Sequence, residues 1–179
     1  LPLMLQVAYC YPADLAGWLL TPIALSSIVC KPFIRPLLVR FSYKKVLIAA
    51  TLLLCTSLIL FGLMQQNWSI WLLIPPLMLY GAAMSTLFTS ANTLTISEFS
   101  EANNSEGSTL LSVTQQVGLG IGIAFAAVVL NIYLSLLDKS AVAQAFSYTF
   151  FSVAAIGVLQ IFILLRLKSS DGENMSHRN

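Results

Sequence analysis

Five long apolar runs, separated by short polar or charged breaks, constrain this chain more than any other feature. A helix that crosses a bilayer needs about 20 consecutive, mostly apolar residues. The runs lie at roughly Ala13–Ile34, Val46–Met64, Ile70–Ile96, Thr109–Leu137 and Gln144–Leu167. They are too long for barrel strands, and their weak amphipathic periodicity suits helices whose faces meet lipid or one another. Hydrophobic residues are 58% of the chain and charged residues 9%, against about 25% charged in a soluble domain. So few charges cannot cover a water-facing surface. The expected fold class is an all-α membrane protein with five transmembrane helices and the lipid bilayer as solvent.

Charge placement orients the spans. Lys31, Arg35, Arg40, Lys44 and Lys45 surround the first break, and Arg166, Lys168 and Arg178 follow the last span. With these inside, as the positive-inside rule requires, only Lys139 lies outside. The second break, Gln65-Gln66-Asn67-Trp68-Ser69, and the fourth, Asp138-Lys139-Ser140, then face out. The third, with Glu98, Glu101 and Glu106, faces in, because acidic residues contribute little to the rule. Trp68, Trp71 and Tyr133 suit an interfacial belt. The expected organisation is an outer loop or the end of a truncated helix over 1–12, a membrane segment over 13–167, and a cytoplasmic tail over 168–179. The opening Leu1-Pro2-Leu3, without an initiator Met, suggests a fragment or processed chain.

Several classes are excluded. A net charge of +2 gives no nucleic-acid partner. Cys10, Cys30 and Cys55 have no disulfide or metal-ligand spacing. No metal or cofactor is expected. Cys30 and Cys55 read as small apolar residues in helices. The spans lack the Ser-His pair, paired Asp or zinc-binding His motif of an intramembrane enzyme. They also hold no Asp, Glu or His at mid-membrane, where a proton relay needs one. Asp14 opens the first span, where the helix dipole favours an acid. His177 is in the tail.

Departures from plain apolar helix mark the candidate working parts. Pro22 lies in the first run and Pro75-Pro76 in the third. Each proline removes a backbone donor and obstructs the preceding turn, giving either a hinge or cavity-lining bend, or a fixed kink that only shapes packing. Gly118 and Gly122 share a helix face with Ala126, a spacing that lets another backbone approach closely. No strand precedes them, so they are not a nucleotide loop. Ser85, Thr89 and Asn92 recur at helical spacing on the third run, and Ser112, Gln115 and Gln116 stand together on the fourth. Polar groups at membrane depth need partners. Two readings stay open: a wet cavity wall, or hydrogen bonds across helix interfaces. Asn92, Gln115 and Gln116 are the leading cavity candidates, because an amide both donates and accepts.

Three stretches resemble a known family. Ala16-Gly17-Trp18-Leu19-Leu20-Thr21-Pro22 is similar to its AGL-x-x-x-P motif. Arg40-Phe41-Ser42-Tyr43-Lys44-Lys45-Val46-Leu47 resembles its D-R-F-G-x-R-R-x-L loop, with Val39 at the acidic position and Ser42 at the glycine. Asn92 to Gly107-Ser108 and then Gln115-Gln116-Val117-Gly118 to Gly122-Ile123-Ala124 resemble N-x-x-x…G-x-x-S…R-Q-x-G-x-x-x-G-x-A, with Gln115 at the Arg. The chain thus resembles the 14-helix drug/proton antiporters of the EmrB/QacA type, within the major facilitator superfamily, and among them the MdtD-like multidrug transporters. The resemblance implies the last five helices of such a transporter, forming part of the C-terminal half of its bundle in a bacterial inner membrane. It implies a secondary active transporter, with no enzymatic activity, that exports drugs or other small organic compounds by proton antiport. Its partners would be the missing N-terminal helices, the substrate and protons. The family's coupling carboxylates lie mainly in the other half. A non-transporting membrane scaffold or partner subunit, acting through helix packing, is the alternative.

Overall fold

The computed structural model describes residues 1–41, 43–65, 68–97, 104–137 and 141–166, with backbone alone at residues 39, 94–97 and 104–106. Ser42, Gln66, Asn67, Glu98, Glu101, the Asp138-Lys139-Ser140 break and the tail with Lys168, His177 and Arg178 lie outside the described residues. So does the Glu106 side chain.

The described residues form helices α1 (Ala13–Trp18), α2 (Thr21–Arg40), α3 (Tyr43–Gly62), α4 (Ile70–Ser97), α5 (Asn104–Leu136) and α6 (Val142–Leu165), after a short π-helical segment, Met4–Ala8. Among the described residues, five stretches are long and apolar enough to cross a membrane, with Ala13–Leu38 counting as one. The fold is the expected all-helical one, with no strand among the described residues.

The first run departs from expectation in two ways. It is not one helix from Ala13 to Ile34 but α1 and α2, separated by a turn at Leu19 and Leu20. Pro22 explains the break. It falls in the first turn of α2, where its missing N–H costs nothing. It cannot donate back to Trp18, so the chain tightens, and Leu20 N–H bonds the Gly17 carbonyl at 3.0 Å. Pro22 is therefore a helix start rather than an interior kink. At the other end the helix runs on to Arg40, taking in Lys31 and Arg35 as well as Pro32 and Pro36. The long basic side chains stay exposed while their backbone remains helical. In contrast, Pro75 and Pro76 sit within an unbroken α4.

Packing follows small residues. α2 lies along α4, α3 lies between α4 and α6, and α5 rests on α6 with a lighter contact to α4. A β-carbon at Gly81 of α4 would overlap the carbonyl oxygen of Ile23 and stand 3.0 Å from its Cα. Between α3 and α6, a β-carbon at Gly62 would meet the Phe151 ring at 2.7 Å, and one at Gly157 would meet Cys55 Sγ at 2.7 Å. Lipid supplies no hydrophobic force between helices, so close backbone approach of this kind holds them together. The main core gathers Leu58, Phe61, Leu73, Leu77 and Phe146 with Met4, Leu5 and Tyr9 of the opening segment. A smaller cluster of Ile34, Leu38 and Val46 joins the C-terminal end of α2 to the start of α3.

α5 is the exception. Leu110, Val113, Val117, Ile121, Ile123 and Val128 are all exposed. Gly118, Gly120 and Gly122 have nothing within 4 Å of where a β-carbon would stand. The glycine face expected to pack closely meets no described element of this chain.

Candidate functional site

The polar residues of α4 divide by direction. Ser85 turns toward α2, where its hydroxyl donates to the Ser27 carbonyl at 3.0 Å. Ser26 Oγ donates to the Met78 carbonyl at 2.5 Å, and Ser27 Oγ reaches the Gly81 carbonyl at 3.1 Å and its own-helix Ile23 carbonyl at 2.8 Å. These bonds cluster around the Gly81–Ile23 approach, where the backbones are near enough for short hydroxyls to span the gap. Ser85 thus bonds across a helix interface. Ser26 and Ser27 were missed in the sequence; their only signal was two adjacent serines in one span and the small run Gly81-Ala82-Ala83 in another.

One helical turn-pair further along α4, Asn92 points to α5. Gln115 Nε2 donates to Asn92 Oδ1, joining two residues 23 apart in sequence. Both side chains are half-buried. Among the described residues, no other hydrogen bond reaches the Asn92 amide nitrogen or the Gln115 amide oxygen. The pair therefore presents a donor and an acceptor side by side. In an apolar setting, unmet amide groups cost free energy until water or a ligand meets them.

The remaining candidates are placed differently. Thr89 is half-buried on the same stretch of α4, and its carbonyl accepts from Thr93 Oγ1 at 2.8 Å. Ser112 is exposed and bonds its own helix at the Ser108 carbonyl, 2.9 Å away. Gln116 is exposed beside Gln115. Ser90 Oγ is fully buried without a partner among the described residues. Pro75 is exposed and Pro76 buried at the opposite end of α4.

Of the basic loop residues, Arg40 and Lys45 are exposed, while Lys44 Nζ donates to the Leu165 carbonyl at 2.6 Å. A cation at the last carbonyls of α6 is well placed against the helix dipole. At the other end, Tyr9 hydroxyl donates to the Met64 carbonyl at 2.7 Å. Burial, and then the neighbouring Tyr11, push the Tyr9 phenol above its ordinary pKa. Tyr9 also borders an open cleft of about 440 Å³ with Gly62, Gln65, Gln144 and Phe151, which contains none of the expected site residues. No His, Cys, Asp and Glu grouping that could hold a metal occurs among the described residues. Cys55 is buried, as expected, whereas Cys30 is half-buried and Cys10 exposed.

Long apolar helices, joined through glycines and hydroxyl-to-carbonyl bonds and exposing apolar faces outward, define an integral membrane protein of the helical-bundle class. Sequence comparison narrows the class. The profile of the Major Facilitator Superfamily matches residues 1–177. A "Probable transport protein HsrA" of Haemophilus influenzae is 41% identical over 98% of this chain and 38% of its own length. A "Putative multidrug resistance protein MdtD" of Klebsiella pneumoniae is 33% identical over 97% of this chain and 37% of its own length. One of the same description from Escherichia coli is 31% identical over 98% and 38%. The chain belongs to the Major Facilitator Superfamily, and it spans 37–38% of the length of these relatives.

Proposed function

We propose that this chain forms part of a secondary active transporter that exports drugs or other small organic compounds in exchange for protons. Family membership and the descriptions of the relatives as transport and multidrug resistance proteins support transport. The observation that carries the site is the Asn92–Gln115 pair, an uncharged donor and acceptor held between α4 and α5. Such a pair suits amphipathic substrates, which need a few polar anchors in an apolar setting. Thr89, Ser112 and Gln116 extend the polar surface around it.

In this reading the rest of the transporter meets the open face of α5, where Gly118 and Gly122 permit close approach, and contributes the carboxylates that carry protons. The two halves then rock about a central site. The basic ends of α2 and α3 face the cytoplasm with the C-terminus, in a bacterial inner membrane.

Sealed inverted vesicles containing the complete protein test this reading. The expected result is ethidium uptake that starts when a proton gradient is imposed and stops when it is collapsed. Uptake unaffected by the gradient would rule out antiport. No uptake of any organic cation or neutral amphipath would rule out the substrate class.

A further inference from the structure

We propose that the basic end of α2 is a binding site for an anionic phospholipid, whose phosphodiester headgroup sits between Lys31 and Arg35 and whose acyl chain lies on the helix below them. The proposal rests on the membrane-spanning fold and is independent of the transport reading.

The first observation is the charge. Lys31 and Arg35 are one helical turn apart on α2, both exposed, with Arg40 and Lys45 exposed nearby at the junction with α3. Lys44 is committed to α6 through the Leu165 carbonyl and is not part of the site. Among the described side chains the only acidic one is Asp14, in the first turn of α1 at the opposite end of the span. Orientation in the membrane requires only that cations accumulate on one side. It does not require two of them to stand one turn apart on a single face, in the last turns of a span. Stacked there, they repel each other by the rule that penalises like charges at this spacing. A phosphodiester reverses that sign.

The second observation is what lies beneath. Ala24, Leu25 and Ile28 are exposed, the last two at 55% and 65%, and Ala24 and Ile28 fall in line with Lys31 and Arg35 at helical spacing. Pro32 continues the same side of the helix toward Arg35. One flank of that face is occupied, with Ser27 bonded to α4 and Ile34 and Leu38 packed on Val46. Leu25 to Arg35 spans roughly 15 Å at the helical rise, about half the hydrocarbon thickness of a bilayer. An apolar strip one leaflet long that ends in two cations matches the outline of one anionic lipid. Arg35 suits the role because its fork of donors can hold two phosphate oxygens at once. Basic sites between transmembrane helices on the cytoplasmic side take such headgroups for the same reason.

The test uses the complete protein in phosphatidylcholine nanodiscs, with Trp18, Trp68, Trp71 and every tryptophan outside this chain changed to Phe and a reporter introduced by I28W. Ile28 is exposed and lies one turn before Lys31 on the same face of the helix. Brominated phosphatidylglycerol and brominated phosphatidylcholine are compared as quenchers. The expected result is at least about fivefold tighter association of the anionic lipid, weakened about fivefold by each of K31Q and R35Q, retained in R35K, and reduced by salt. Native mass spectrometry of the protein with its own tryptophans gives an independent count of retained phosphatidylglycerol, should the reporter variant not fold. Equal association of both lipids would overturn the proposal. So would a preference that survives the K31Q/R35Q double change, or competition by soluble glycerol phosphate. A preference that emerges only after Glu98, Glu101 and Glu106 are changed to Gln would assign the cations to those carboxylates and also overturn it.

Discussion

Gly81 of α4 and Ile23 of α2 approach so closely that a β-carbon on residue 81 would overlap the Ile23 carbonyl oxygen. The obstacle is backbone, with the Ile23 carbonyl carbon and Cα each 3.0 Å away. No rotamer change relieves it, so the helices must separate. Separation stretches the Ser26–Met78 and Ser85–Ser27 bonds as well. G81A is expected to cost about 1–3 kcal/mol, the usual range for overpacking. S85A alone should cost only about 0.6 kcal/mol, the average for interhelical hydrogen bonds in a membrane. Unfolding titrations in mixed detergent read both, and a G81A cost no larger than that of S85A would contradict the close approach.

The α3–α6 contact makes a different prediction, because there the obstacle is a side chain. A β-carbon at Gly157 meets Cys55 Sγ at 2.7 Å. G157A should destabilise the protein, and most of that cost should vanish when Cys55 is also changed to Ala. The double-mutant cycle should give a coupling of about 1 kcal/mol or more, since residues in contact are not additive. Additive costs would mean that the two groups do not touch.

How much of this could be read in the sequence follows from range. The five spans were legible because lipid requires a long apolar run for each crossing, and that signal is local. The break at Leu19–Leu20 was not placed, because Pro22 marks a disturbance without stating whether it kinks a helix or starts one. The extension through Pro32 and Pro36 to Arg40 ran against the ordinary weight of proline and charge as helix ends. Gly118 and Gly122 carry the better-known small-residue spacing, yet among the described residues close approaches fall at Gly62, Gly81 and Gly157. Which glycine meets a neighbour depends on which helices are adjacent, and that is not a local property. Asn92 and Gln115 were legible as candidates from their chemistry, whereas their direct bond required the α4–α5 contact.

Tyr9 ties the opening segment to the end of α3 through the Met64 carbonyl, 2.7 Å away. Y9F should cost about 1 kcal/mol, the net value of one such bond. Burial raises the phenol pKa above its ordinary 10.0. A raised folded-state pKa means that this stability is fully present below the unfolded value and is lost as pH rises through the folded one. Thermal midpoints of the wild type should therefore stay level up to about pH 10 and then fall, with a smaller alkaline fall in Y9F. Identical alkaline slopes would exclude Tyr9 as the titrating group.

Lys44 predicts a local effect. Its ammonium bonds the Leu165 carbonyl at 2.6 Å, at the C-terminal end of α6. K44Q should weaken that end by about 0.3–1 kcal/mol. Hydrogen exchange should show faster amide exchange in the last turn of α6 and no change in its first turns. Faster exchange throughout α6 would point to a global loss of packing instead.

Thiol labelling tests the amide pair most directly. In the complete protein with every native cysteine replaced, Cys10, Cys30 and Cys55 among them, single cysteines at positions 92 and 115 are exposed to a small membrane-permeant thiol reagent, with and without ethidium. Both are expected to react, with ethidium slowing the reaction, as for groups lining a substrate cavity. If neither reacts under any condition, the Asn92–Gln115 bond is interior helix packing, and the proposed site is wrong.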